Sequence, residues 1–497
     1  MIRKPSIPSS SNATKPPEKS SPNMGIGLDL TGIARSRRDT DPEEFCQELC
    51  EWLPTVAGDF FEGAHGPRCG HDHDHDHDHS HDHDGDECGT SGDDCHQVLG
   101  TVQFFPSTEP LYIETGPGGL LRLSTKTSIL GPGYHRWLCQ IFGQLGEEFE
   151  VEWKQFDEDG NPGDETGFFF YKDSARVEHE MLVWLKSACE ALLEYERRGY
   201  EGLGLSMPVS PQFLDYGPVL SVMGPRSTEW LAQVISSPER GKDIFPWWDD
   251  EPRALIVRNR ALCRMWDTVC WRRPFDDDEV ELLTSVHNDL LLSYELDPSI
   301  ALPWYEWNEI VGFLDEEHDL ELEENLRQTL NEFALVHEKE PRIGYRRGNV
   351  RTRASGGWSV VVPGSFQELI DEEGNWGAQD DTRQVWISSI SVVDKNDQPV
   401  LKTDLLSSDT LFGDEEEAAE AGPEIPFGPH DRLVGTARIR LETDAEVPHW
   451  QLSGKCAIDG EIAITTILYE HKSDEEWAIA TWKSLQVQEG GLDVDDD

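Results

Sequence analysis

The chain has 497 residues, and 97 acidic against 42 basic side chains leave a formal charge of −55. That surplus opposes non-specific binding to nucleic acid or to an anionic membrane surface, while it suits a basic protein partner. Seventeen tryptophans and nineteen phenylalanines exceed what a disordered chain carries, so most of the sequence folds, and the length predicts two or three domains.

The N-terminal sequence lacks the ~7–15 apolar residues of a secretory signal. No run approaches the ~18 apolar residues of a membrane-crossing helix. Ten cysteines lack the regular spacing of a disulfide scaffold. Reduced thiols in the cytoplasm are the expectation.

The composition predicts an N-terminal leader over residues 1–96. Residues 1–38 are rich in Ser, Pro and Lys and read as a disordered arm. A short helix at 41–53 interrupts the leader: Thr40 and Glu43 have capping-box spacing, Pro42 suits the first turn, and Phe45, Cys46, Leu49, Cys50 and Leu53 share one face. Residues 63–96 are of low complexity.

A first folded domain, 97–338, is expected to run strands first and helices after. Strand-like runs fall at 99–105, 110–114 and 119–124, and a Gly-Pro-Gly turn opens a helix at 131–145. Residues 148–153 and 167–171 have the pattern of a hairpin around an acidic loop. Helices follow at 173–198, from Pro252, from Asp276, from Pro303 and over 319–336, each with an apolar stripe. A second domain, 340–487, alternates as antiparallel strands at 358–363, 383–393, 433–442, 449–458 and 461–470, with Asp459-Gly460 as a tight turn. Ser473 and Glu476 have the spacing to cap its closing helix, and 488–497 is an acidic tail. The fold class expected is therefore α+β.

The most distinctive motif is a tract in which His71, His73, His75, His77, His79, His81 and His83 alternate with aspartates and one serine. Imidazole suits Zn, Ni, Cu and Co, and interleaved carboxylates offset divalent charge and orient imidazoles. Alternate residues of an extended chain lie about 6.6–6.8 Å apart, too far for neighbours to share one ion unless the chain curls. The tract therefore binds through many registers. Loosely held Zn or Ni is the expected cofactor, and metal buffering or delivery the second reading of function.

Other candidates carry plainer alternatives. Asp157, Asp159 and Asn161 have calcium-loop spacing, but Pro162 and Phe168 stand where the turn glycine and the bidentate glutamate belong. His135, after the Gly-Pro-Gly turn, is a lone acid/base candidate, and its alternative is a structural histidine. Cys46 with Cys50, and Cys263 with Cys270, can ligate or simply fill core. Arg346, Arg347, Arg351 and Arg353 can grip an anion or pair internally. Trp247, Trp248, Trp266, Trp271, Trp304 and Trp307 can line a cleft or build core. No complete catalytic motif occurs, so an enzyme with a site assembled from scattered residues is the third reading.

The GGWSVVVPGSF opening at 356–366, the antiparallel strands after it and the terminal WAIATWKSL helix resemble the PsbP/DcrB-type α+β domain across 344–486. Such domains mostly bind or scaffold partners, so the resemblance implies a binding role. The remainder resembles uncharacterised bacterial proteins. The leading expectation is a non-catalytic, acidic binding or adaptor protein with a metal-binding tract.

Overall fold

The computed structural model describes residues 25–69, 98–156, 160–198, 203–205, 212–214, 216–217, 219–250, 252–318, 322–339, 341–371, 374–396, 398–406, 422–428, 433–443 and 447–487. The fold is α+β, built on antiparallel sheets. It opens with β1 (Gly27–Ala34), α1 (Pro42–Ala57) and β2 (Gly63–Cys69). After the tract come β3 (Val98–Gln103), β4 (Leu111–Gly116), β5 (Leu120–Lys126), α2 (Pro132–Glu148), β6 (Val151–Trp153), the one-turn α3 (Phe168–Tyr171) and α4 (Ser174–Arg197). The six strands form one sheet in the order β2-β3-β4-β5-β1-β6, antiparallel at every step.

This arrangement corrects the leader expected through residue 96. β1 lies inside the sheet, with Leu30 opposite Leu123 of β5 and Ile33 opposite Glu152 of β6. Leu28, Leu30 and Ala34 are buried, and any side chain at Gly32 would collide with Val151. Period-two burial drives these residues into the core although a polar arm precedes them. Helix α1 covers β2 to β4 with the predicted face, burying Phe45, Cys46, Leu49, Cys50 and Leu53. Its cap is Asp41, not Thr40: the Asp41 carboxylate accepts from the Glu43 amide at 2.9 Å.

The expected hairpin of 148–153 with 167–171 is also corrected. β6 pairs with β1, and Phe168–Tyr171 coils into a helical turn. Gly167 adopts a left-handed φ of 75°, and the Phe169 amide donates to Asp164 Oδ2 at 2.6 Å, which starts the turn.

β7 (Leu203–Gly204), β8 (Gln212–Phe213), β9 (Val219–Leu220) and α5 (Thr228–Ser236) lead to four helices: α6 (Arg253–Asp267), α7 (Asp277–Leu296), α8 (Trp304–His318) and α9 (Glu324–His337). β7 and β9 form a short parallel pair. The helices have a core of their own, in which Trp307 packs among Val286, Leu290, Ile310 and Leu330. Asp276 caps α7 by accepting from the Glu279 amide at 2.9 Å, as the sequence predicts.

His287 is buried beside Trp307, whose indole N–H donates to His287 Nδ1 at 3.0 Å. Burial holds its pKa below the ordinary histidine value. Below about pH 6.5 the unfolded chain takes up a proton that the folded chain resists, so stability is full above that pH and declines as pH falls. Unfolding free energy measured in urea should drop between pH 7.5 and 5.5, with a smaller drop in His287→Asn. An identical drop in the variant assigns the effect to other groups.

The C-terminal part comprises β10 (Asn349–Arg353), β11 (Trp358–Pro363), β12 (Gln367–Ile370), β13 (Trp376–Gln379), β14 (Arg383–Ser391), α10 (Lys402–Leu406), β15 (Ile425–Pro426), β16 (Val434–Glu442), β17 (His449–Ile458), β18 (Glu461–Tyr469), α11 (Glu475–Lys483) and β19 (Gln486–Val487). Seven strands form a sheet in the order β12-β13-β14-β18-β17-β16-β15, and four form a second, β19-β11-β10-β8. Gly460, with φ 85°, makes the predicted turn between β17 and β18. Trp482 of α11 lies over Gly454, where a Cβ would come within 2.4 Å of the indole. Asp474, without a side-chain hydrogen bond, precedes α11 in place of the expected Ser473 cap. β8 reaches back from the middle of the chain to pair with β10, so this core includes Phe213 and Leu220. No helix among the described residues is long and apolar enough to cross a membrane.

Candidate functional site

Helix α2 starts at an unusual corner. Gly131 takes φ 104°, Pro132 fills the first helical position, and a Cβ on Gly133 would strike Trp247. This brings His135 and, one turn later, Cys139 onto the same inward face. The loop ahead of α3 supplies Asp164 and Thr166 from the opposite side. All four side chains are buried.

The contacts are short and complete. His135 Nδ1 lies 2.9 Å from Thr127 Oγ1, and Nε2 lies 3.0 Å from Thr166 Oγ1 and 3.2 Å from Asp164 Oδ1. Asp164 Oδ1 also accepts from the Thr166 amide and hydroxyl, both at 2.8 Å. Because the Thr166 hydroxyl spends its proton on Asp164, its oxygen is the acceptor for the His135 N–H. Burial raises the Asp164 pKa. The hydrogen bond and charge of His135, the Phe169 amide and the Thr166 hydroxyl outweigh that and hold it below the usual carboxylate range. Burial, reinforced by the Asp164 charge, pushes the Cys139 thiol well above its ordinary value.

His135, Cys139 and Asp164 each offer a ligand atom, and these atoms lie within 4.8 Å of one another. The group can hold a metal ion. Sequence reasoning singled out His135 alone: its partners lie up to thirty-one positions away, and Asp164 stood only as part of an acidic loop.

Glu165, between Asp164 and Thr166, faces the other way. It lines a cleft of about 470 Å³ with Asp29, Glu109, Tyr112, Lys126 and Asn161. Burial raises the Glu165 pKa. A second cleft, about 420 Å³, contains Cys270, Arg272, Glu279, Arg346 and Glu368 where the helices meet β12.

The remaining candidates sort by place. His71, His73, His75, His77, His79, His81 and His83 lie outside the described residues, as do Asp157 and Asp159. Cys46 and Cys50 are buried against Gly100, whose missing side chain leaves room for both sulfurs. Cys263 is core, and Cys270 is half-buried. Three of the four clustered arginines are engaged internally. Arg346 donates to the carbonyl of Asp267, Arg347 pairs with Glu309 above the Trp271 ring, and Arg351 donates to the carbonyl of Ser484. Arg353 is exposed. The tryptophans build cores. Trp247 packs with Phe60, Phe105, Tyr134 and Trp137, and Trp304 stacks on Trp307 with ring centroids 5.6 Å apart.

No protein-family model matches this chain, and no curated protein matches it. Among solved structures it is similar to a crystal structure from Bacteroides thetaiotaomicron VPI-5482 at 1.50 Å resolution, with 12% identity and a TM-score of 0.21. The match covers 27% of this chain and 46% of that one, so the chain spans less than half of that protein.

Proposed function

We propose that this is a non-catalytic binding protein that captures divalent transition ions, Zn, Ni or Co, on its His-Asp tract and engages a protein partner through its folded bodies. One observation carries the reading: the tract joins two paired strands. Cys69, the last residue of β2, lies opposite Val98, the first of β3. Seven imidazoles are therefore tethered at both ends to the edge of a folded sheet. Whatever the tract gathers is thereby anchored at both ends to this strand pair.

The sealing of the His135 group inside the core supports a binding role over catalysis. A substrate must touch a catalytic group, and His135, Cys139 and Asp164 line neither of the two clefts described above. The antiparallel strands and closing helix of 344–486 support the PsbP/DcrB-type reading, and with it a scaffold role. The charge of −55 favours a basic partner, and reduced cytoplasmic thiols belong to the same proposal.

The ladder makes the test clean. Replacing residues 70–97 with a two-residue Asn-Gly turn reconnects β2 to β3 as an ordinary hairpin. Zinc uptake measured by equilibrium dialysis should fall by at least about one ion per chain, with the thermal transition retained. Uptake equal to that of the intact chain would overturn the metal role. A partner recovered from native extract should persist without the tract, whereas its loss with the tract or with chelator favours metal delivery as the primary function.

A further inference from the structure

We infer that His135, Cys139 and Asp164, completed by Thr166, form a structural zinc site in the core of the first body. This site is independent of the tract and of the proposal above. Nε2 of His135, Oδ1 of Asp164 and Oγ1 of Thr166 make a triangle with edges of 3.2, 3.0 and 2.8 Å. A tetrahedron around zinc with bonds near 2.0 Å has edges of about 3.3 Å, so three donors already outline one of its faces. Cys139 supplies the apex, one helical turn from His135 and within 4.8 Å of the other two principal ligand atoms.

The surroundings have the character of an outer ligand shell. His135 Nδ1 meets the Thr127 hydroxyl, and the second oxygen of Asp164 accepts from the Phe169 amide. Such contacts fix the orientation of ligating imidazoles and carboxylates. Charge also balances: one thiolate and one carboxylate neutralise Zn²⁺, so the ion adds no net charge to the interior. On binding, the thiol proton leaves to solvent, and the imidazole binds as a neutral ligand with its N–H on Nδ1, facing Thr127 Oγ1, and none on Nε2. The donor set of nitrogen, sulfur and oxygen suits zinc better than the hard cations, which take oxygen alone. A site this enclosed loads as the chain folds.

The test uses the full chain. Protein grown with zinc is dialysed against EDTA to empty exposed ligands such as the tract, then denatured, and the released zinc is titrated. The expected result is about one zinc per chain, reduced tenfold or more in Cys139→Ser. No retained zinc, or equal retention in a folded Cys139→Ser, overturns the site and leaves a hydrogen-bonded network in its place. Should Cys139→Ser fail to fold, cobalt substitution of the native chain decides. A thiolate-to-cobalt charge-transfer band that survives EDTA supports the site, and its absence refutes it.

Discussion

Replacing Asp289 with alanine should destabilise the protein by about 3–5 kcal/mol, the cost of stranding buried charge. Asp289 sits on α7, and its carboxylate accepts from Arg260 Nε at 2.9 Å and from Arg264 Nη1 at 2.5 Å, both on α6. All three side chains are buried. Arg264 also donates to Glu62 at 2.5 Å, and Arg260 donates to the Asp59 carbonyl. The network thus ties the helices to the segment between α1 and β2. Removing the aspartate leaves Glu62 as the carboxylate shared by two buried guanidinium groups. Urea denaturation of Asp289→Ala at low and high salt is the measurement, because buried pairs are poorly screened and added salt should not rescue the variant. The triple change Asp289→Leu, Arg260→Met, Arg264→Leu should recover most of the loss. A loss below about 1 kcal/mol would place these groups in the class of solvated surface pairs.

The second large effect concerns β1. A chain that starts at residue 35 should lose the cooperative unfolding of the first body, because β5 and β6 are then left without the strand between them. Ile26, Leu28, Leu30 and Ala34 also leave the core. At about 2–5 kcal/mol for each large aliphatic residue, the three large ones approach the whole stability of a domain, roughly 5–15 kcal/mol. Calorimetry and near-ultraviolet circular dichroism should both report the loss. A native-like transition in the shortened chain would return residues 25–34 to the leader that composition suggests.

Helices α1, α2, α4, α6, α7 and α8 were legible because each combines a local stop or start signal with an apolar stripe several turns long. Asp276 caps α7 where the pattern placed it, and of the two candidates Asp173 and Ser174 it is Asp173 that caps α4. β1 was not legible. Its inward alternation has only two large residues, Leu28 and Leu30, before Gly32 and Ala34, it follows a Ser/Pro-rich arm, and its partners Leu123 and Val151 lie some hundred residues on. Phe168 to Tyr171 read as a strand because aromatic residues favour pleated, half-buried surfaces. The left-handed Gly167 and the Asp164 side chain decide otherwise, and both act through tertiary placement. The candidate site was half legible. His135 was visible from its Gly-Pro-Gly corner and Cys139 stands one helical turn on, but nothing local announces that Asp164 and Thr166 converge on them.

The two ends of the His-Asp tract lie side by side, Cys69 opposite Val98. A connection whose two ends face each other across one rung of a ladder can change length cheaply, since each doubling of its length costs only about 0.6 kcal/mol in closure entropy. The number of His-Asp repeats can therefore vary with little penalty to the strands on either side. If the tract captures ions as proposed, its capacity scales with repeat number while the sheet that holds its ends stays unchanged.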